Sequence, residues 1–200
     1  MSSTATQLRA AAPMRWIIDP ENTTVEFAVK TLWGLTTVRG RFDRFDGSYE
    51  VGDDGTTIEL TIDADSLDTG NPKRDEHLRA TDFFAVAQHP QVRFASTRVR
   101  DSGDGTRRVE GDLQAAGKAV ALELDATVAH LEDGRLEIEA TTTVDQRRLG
   151  MSSGLLGMIR RPATLHVKAL LSDAAPAGAA AAAPAPGGES ASTPPGAAAR

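Results

Sequence analysis

The chain has 200 residues, 40% of them apolar and 25% charged, with a formal charge of −6 at pH 7 and a pI near 5.2. That is the composition of one soluble domain plus extensions, and its acidic balance opposes broad attraction to nucleic acid or to an anionic membrane surface. Cysteine is absent, so disulfides, zinc–thiolate sites and cysteine nucleophiles are excluded together, and thiol usage says nothing of redox compartment.

Residues 1–13 contain no apolar run long enough for a signal-peptide core, and no later stretch approaches a membrane-spanning length. They read as a flexible arm, and a cytoplasmic location is the expectation. Residues 14–172 carry period-two alternation, the mark of strands with one buried and one wet face. MRWIID, TVEFAVK and the long TVRGRFDRFDGSYEV come first. TIELTIDADSL then sets Ile58, Leu60, Ile62 and Ala64 against Glu59, Thr61, Asp63 and Asp65. After a non-alternating stretch come VRFASTRV and RRVEGDLQA. AVALELDATV follows, with Val120, Leu122, Leu124, Ala126 and Val128 on one face. RLEIEATTTV presents Leu136, Ile138, Ala140, Thr142 and Val144, and TLHVKAL presents Leu165, Val167 and Ala169.

Turn signals at Asp46-Gly47, Asp54-Gly55, Asp104-Gly105 and Asp133-Gly134 punctuate the strands. Gly40 and Gly111, each inside a strand, mark a bend or bulge of a coiled barrel strand, or fall there by chance. Roughly eight long strands, short turns and one short helix predict an all-β fold, an antiparallel up-and-down barrel or a sandwich. Residues 173–200, nearly all Ala, Pro, Gly and small polar residues, read as a disordered tail.

The motifs WIIDP (16–20), VEFAVK (25–30), VRGRF (38–42), TIDADSLDTG (61–70), RDEHLRATDFF (74–84), HPQVRF (89–94) and VEGDL (109–113) occur in that order. Together they resemble the polyisoprenoid-binding, lipocalin-like family often called the YceI family, over about residues 15–172. The resemblance implies an antiparallel lipocalin-like barrel whose apolar interior holds a polyprenyl chain or similar lipid. It also implies a homodimer, although many members are periplasmic and exported. Asn22 and Thr31 stand where the family commonly has histidine, and Ala116 precedes Gly117 where a polar or bulkier residue is common.

The stretch NPKRDEHLRATDFFAVAQHPQVRF, residues 71–94, concentrates Arg74, Asp75, Glu76, His77 and Asp82. Asn71 followed by Pro72 is a helix start, with the acids in the first turn where the helix dipole favours them. Leu78, Phe83 and Phe84 then supply an apolar side able to close one end of a barrel. The competing reading, a catalytic His77 held by Asp75, lacks a recognisable nucleophile, since Ser66, Thr69 and Thr81 sit in no G-x-S-x-G context. His77, His89, His130 and His166 show no metal-ligand spacing. The pairs Arg107-Arg108, Arg147-Arg148 and Arg160-Arg161 either meet an anionic head group or are solvated strand ends. GLLGMI (154–159) is an apolar loop that covers the barrel mouth, meets a second subunit or packs in the core.

The expected function is therefore lipid binding, as carrier or store, without catalytic or metal residues and with a bound lipid in place of a cofactor. The expected lining is Phe27, Val29, Thr31, Phe42, Leu60, Ile62, Leu78, Phe83, Phe84, Phe94, Leu113, Leu122, Leu124, Ala126, Ile138 and Ala140. Two alternatives stand beside it: a barrel enzyme using His77 and Asp75, and a structural dimerisation module with a filled core.

Overall fold

The computed structural model describes residues 14–31, 36–151 and 162–174. Among them are eleven strand segments and one α-helix. The strands are β1 (Met14–Ile18), β2 (Thr24–Thr31), β3 (Thr36–Phe42), β4 (Phe45–Gly52), β5 (Gly55–Asp63), β6 (Leu67–Asp68), β7 (Gln91–Gly103), β8 (Thr106–Ala115), β9 (Lys118–His130), β10 (Leu136–Val144) and β11 (Ala163–Asp173). The helix, α1, spans Pro72–Arg79.

The eleven segments make eight runs, because three runs are each broken once. A 3₁₀ turn at Pro20–Asn22 separates β1 from β2, Asp43 and Arg44 separate β3 from β4, and a second 3₁₀ turn at Ala64–Ser66 separates β5 from β6. Both halves of each broken run keep the same neighbouring run: β1 pairs β4 and β2 pairs β3, while β4 pairs β5 and β3 pairs β6. β7 pairs antiparallel with β5, and from β8 onward each strand pairs antiparallel with its predecessor. β11 closes the ring, since its first half pairs with β2 and its last residues, Leu171 to Asp173, pair with β1. The result is the expected antiparallel up-and-down barrel, with no free edge where the two ends of the sheet meet.

Where pairing lapses, side chains replace the ladder. Ser66 Oγ accepts from Arg44 N at 3.1 Å and donates to Asp63 O at 2.7 Å, while Asp63 N donates to Arg44 O at 3.0 Å. Across the β1–β2 break, Leu170 N donates to Thr23 Oγ1 at 3.1 Å and Asp19 N donates to Leu170 O at 2.8 Å. Ser66 and Thr23 are both buried, where an unmatched backbone group would be most unfavourable.

Two sequence expectations need correction. Asp46-Gly47 is not a turn: it lies within β4, paired with Thr61 and Leu60. Gly47 is glycine because a Cβ there would lie 2.4 Å from Glu59 O and 2.8 Å from Ile18 Cδ1, so it answers a close approach rather than a reversal. The boundary at 172 also falls short, because Asp173 pairs with Trp16 and Ala174 N donates to Arg15 O at 2.8 Å. The barrel needs those residues to complete its closing seam.

At Gly111 the expected irregularity is present: Ser96 pairs with Gly111 but Arg98 with Glu110, so the register shifts at Thr97 on the neighbouring strand; both glycines also answer a close approach. Gly40 lies opposite Phe27, and a Cβ on it would sit 2.4 Å from Phe27 Cζ. A Cβ on Gly111 would lie 2.5 Å from Ala95 O and 2.6 Å from Phe94 Cζ. Each glycine lets an inward phenylalanine lie close to the wall. Because the Ala95 carbonyl is backbone and cannot swing aside, Gly111→Ala should lower the unfolding free energy by about 1–3 kcal/mol, which urea denaturation followed by circular dichroism would read.

Candidate functional site

Alternation turns one face of every run inward, and these faces do not fill the barrel. They enclose a cavity of about 520 Å³ whose lining is almost entirely aliphatic and aromatic. Fifteen expected residues border it: Phe27, Val29, Phe42, Leu60, Ile62, Leu78, Phe83, Phe84, Phe94, Leu113, Leu122, Leu124, Ala126, Ile138 and Ala140. The sixteenth, Thr31, has a side chain outside the described residues. Lining that the sequence reading omitted comes partly from the same faces, including Val25, Val109, Val144, Leu165, Val167 and Ala169, and the same alternation would have found them. Arg74, Gln146, Leu149 and Met151 also border the cavity. They come from α1 and from the segment around a 3₁₀ turn at Gln146–Leu149, where no strand periodicity could point to them.

The segment after β6 closes one end. Asn71 caps α1, its Oδ1 accepting from Arg74 N at 3.2 Å, and Pro72 occupies the first turn. Phe83 is buried, Phe84 meets Phe42 edge-on at 5.9 Å between centroids, and Leu78 packs against the same cluster. Arg79 anchors the helix to the wall through the Asp65 and Leu67 carbonyls, at 2.9 and 2.7 Å from Nη2, and through the Asp65 carboxylate.

The buried Asp75 belongs to this anchoring. Its Oδ1 accepts from Thr69 N at 3.1 Å and from the Thr69 hydroxyl. The Thr69 hydroxyl oxygen in turn accepts from Arg74 Nε at 2.7 Å, and the Thr69 carbonyl accepts from Arg74 Nη2 at 2.8 Å. His77 lies two residues from Asp75, a spacing that does not share a helix face, and it packs against Phe83 with centroids 5.0 Å apart. The proposed His77–Asp75 pair is therefore not brought together in this arrangement.

The other histidines have separate surroundings. His89 covers Gly117, His130 meets Trp16 edge-on at 6.2 Å between centroids, and His166 Nδ1 lies 2.9 Å from the Thr141 hydroxyl. No cluster of three or more potential metal ligands occurs among the described residues. Of the arginine pairs, Arg108 bonds Glu123 and Asp125, Arg107 pairs with Asp101 at 3.0 Å, and Arg147 pairs with Asp145 at 2.7 Å. The Arg147 hydrogen bond holds the Asp145 carboxyl below its ordinary value. Arg160 and Arg161, like residues 154–159, lie outside the described residues. Asn22, at a position where the resemblance had led to expect histidine, donates to Asp19 Oδ2 at 2.8 Å in the turn between β1 and β2.

The matched motifs and the closed ring now meet a direct comparison: residues 16–171 match the YceI-like domain. The chain belongs to the YceI-like domain family. Relatives include UPF0312 proteins of Pectobacterium atrosepticum, 34% identical over 58% of this chain and 61% of its own length, and of Pseudomonas aeruginosa, 32% identical over 74% and 78% respectively. The match to the Pectobacterium protein thus spans less than two thirds of that relative. Among solved structures, Burkholderia cenocepacia BcnA superposes with a TM-score of 0.70 at 18% identity, covering 78% of this chain and 99% of BcnA. A polyisoprenoid binding domain from Saccharophagus degradans, implicated in plant cell wall breakdown, gives 0.67 at 15% identity, covering 80% and 98%. At these identities the likeness concerns the fold, and it places this YceI-like chain among barrels of the same architecture.

The lid anchor is directly testable. Asp75→Ala leaves the Thr69 amide without its partner and should lower stability by about 1–3 kcal/mol. Asp75→Asn keeps an acceptor oxygen and should lose clearly less, as thermal melts of the two variants side by side would show.

Proposed function

We propose that this YceI-like protein binds a long apolar chain, a polyisoprenoid or similar lipid, inside the barrel and acts as its carrier or store. The observation that carries the reading is the apolar cavity of about 520 Å³ within a closed barrel, a volume within the usual range of small-molecule sites. A purely structural module would fill its interior with its own side chains. Burial contributes about 0.8 kcal/mol per methylene, so each five-carbon isoprene unit adds roughly 3–4 kcal/mol before the entropic cost of binding. A few units are then enough for tight association without a polar anchor. The Saccharophagus degradans structure, a polyisoprenoid binding domain of the same architecture, supports the same class of ligand.

Solvent extraction of the purified protein followed by mass spectrometry tests the reading, with a long-chain lipid as the expected extract. Leu124 borders the cavity, so Leu124→Arg puts a long cationic side chain into the space a lipid would fill. The variant should keep its β-sheet circular dichroism and lose its lipid; a folded variant with wild-type lipid content would count against the assignment. Leu78→Asp weakens the apolar contact of the lid and should speed lipid transfer to liposomes, with the sheet unchanged.

A further inference from the structure

Beyond the cavity floor the end of the barrel carries a second, open recess. One inward position further along the strands, this recess of about 310 Å³ is bordered by Met14, Trp16, Tyr49, Val51, Val99 and His130, with Thr56 and the Asp101–Arg107 pair also on its wall. The same strands serve both spaces. On β1, Ile18 faces the upper cavity and Trp16 the lower; on β8, Val109 faces the upper and Arg107 the lower. What separates them is one packed layer. In it Trp16 and Tyr49, cross-strand partners in β1 and β4, meet edge-on at 6.0 Å between ring centroids, backed by the fully buried Val109, Leu136 and Leu171. Trp16 Nε1 donates to Gly134 O, in the turn between β9 and β10, at 3.1 Å, which fixes the indole at this end of the barrel.

We infer that this Trp16–Tyr49 partition is a ruler: it sets the greatest length of apolar chain the upper cavity accepts. The inference rests on the lipid-binding reading above and adds its length specificity. The wall above the floor, from Ala163 to Leu171 on β11, rises roughly 26 Å along the strand, or about 20 Å along a barrel axis tilted some 40° from it. A chain shorter than this leaves wall uncovered, so each added unit buries more surface and strengthens binding. A longer chain meets aromatic rings that are already packed, and its excess must stay in water or displace them. Discrimination by length therefore requires no polar contact. It depends on whether the lower space is joined to the upper.

The test uses the full-length, lipid-stripped protein and a graded series of linear all-trans prenols, from geraniol upward, titrated calorimetrically. The wild type should gain affinity with each added unit, at least fivefold per unit, up to a cut-off beyond which the gain stops. Trp16→Leu opens the partition and should move the cut-off to prenols at least one unit longer. Leu124→Phe adds bulk to the wall just above the floor and should move it to shorter prenols. Circular dichroism establishes that each variant is folded, and if Trp16→Leu fails to fold, Leu124→Phe decides alone. An unchanged cut-off in the folded variants, or a wild type whose affinity keeps rising without one, overturns the ruler while leaving lipid binding intact. Failure of every prenol to bind at any length overturns the lipid-binding reading itself, and the ruler with it.

Discussion

The pairing of β11 with both β1 and β2 is the constraint on which the rest of this structure depends. A sheet with two edges can pack its inward face against another layer, but a closed ring has to satisfy that face from within. Here the closing strand meets two half-strands in different registers, Trp16 with Asp173 on one side of the break and Val29 with Ala163 on the other. The break at residues 19–23 absorbs the offset, and Thr23 and Asp19 bond Leu170 across it. Closure, rather than any single pocket residue, creates an enclosed apolar volume.

The inward side chains then determine how much of that volume stays empty. Near the floor, Trp16, Tyr49, Leu136 and Leu171 pack to nearly complete burial. Higher up, glycines recur where large side chains would collide: Gly40 receives Phe27, Gly111 receives Phe94 and Gly47 receives Ile18. Rings held close to the wall leave the centre of the barrel free. Size alternation across the strands, large beside absent, thus sets a packed layer beneath a hollow within a single hydrophobic interior.

The charged residues of the RDEHLR stretch serve the same architecture. Asp75 and Arg74 converge on Thr69, and Arg79 on Asp65 and Leu67, so that a two-turn helix with little apolar surface of its own is held against the barrel by polar bonds. Phe83 and Phe84 then cover the cavity from the loop that follows. Ala85, at φ 49° and buried, turns the chain in a left-handed conformation unusual for a residue with a Cβ, and its carbonyl accepts from Gln88 N and His89 N. Asp75, Arg74 and Arg79 thus act as struts, while His77 borders the cavity beside Phe83.

Much of this was legible in the sequence because strand alternation is a local property: a side chain two residues from an inward one is itself inward, so Leu122, Leu124 and Ala126 or Leu60 and Ile62 announce their face without reference to any partner. The helix start at Asn71-Pro72 was legible for the same reason. The role of Asp75 was not, since it depends on Thr69 lying beside it in the folded chain, nor was the function of Gly47, whose neighbours Glu59 and Ile18 come from other strands. The partition at Trp16 and Tyr49 was equally hidden, because the two rings are 33 positions apart in the chain and meet only through strand pairing. The sequence by itself determined which side chains face inward; the tertiary structure alone decided whether they meet at the centre, because packing is a property of several strands at once and cavity volume is what their summed side chains fail to fill.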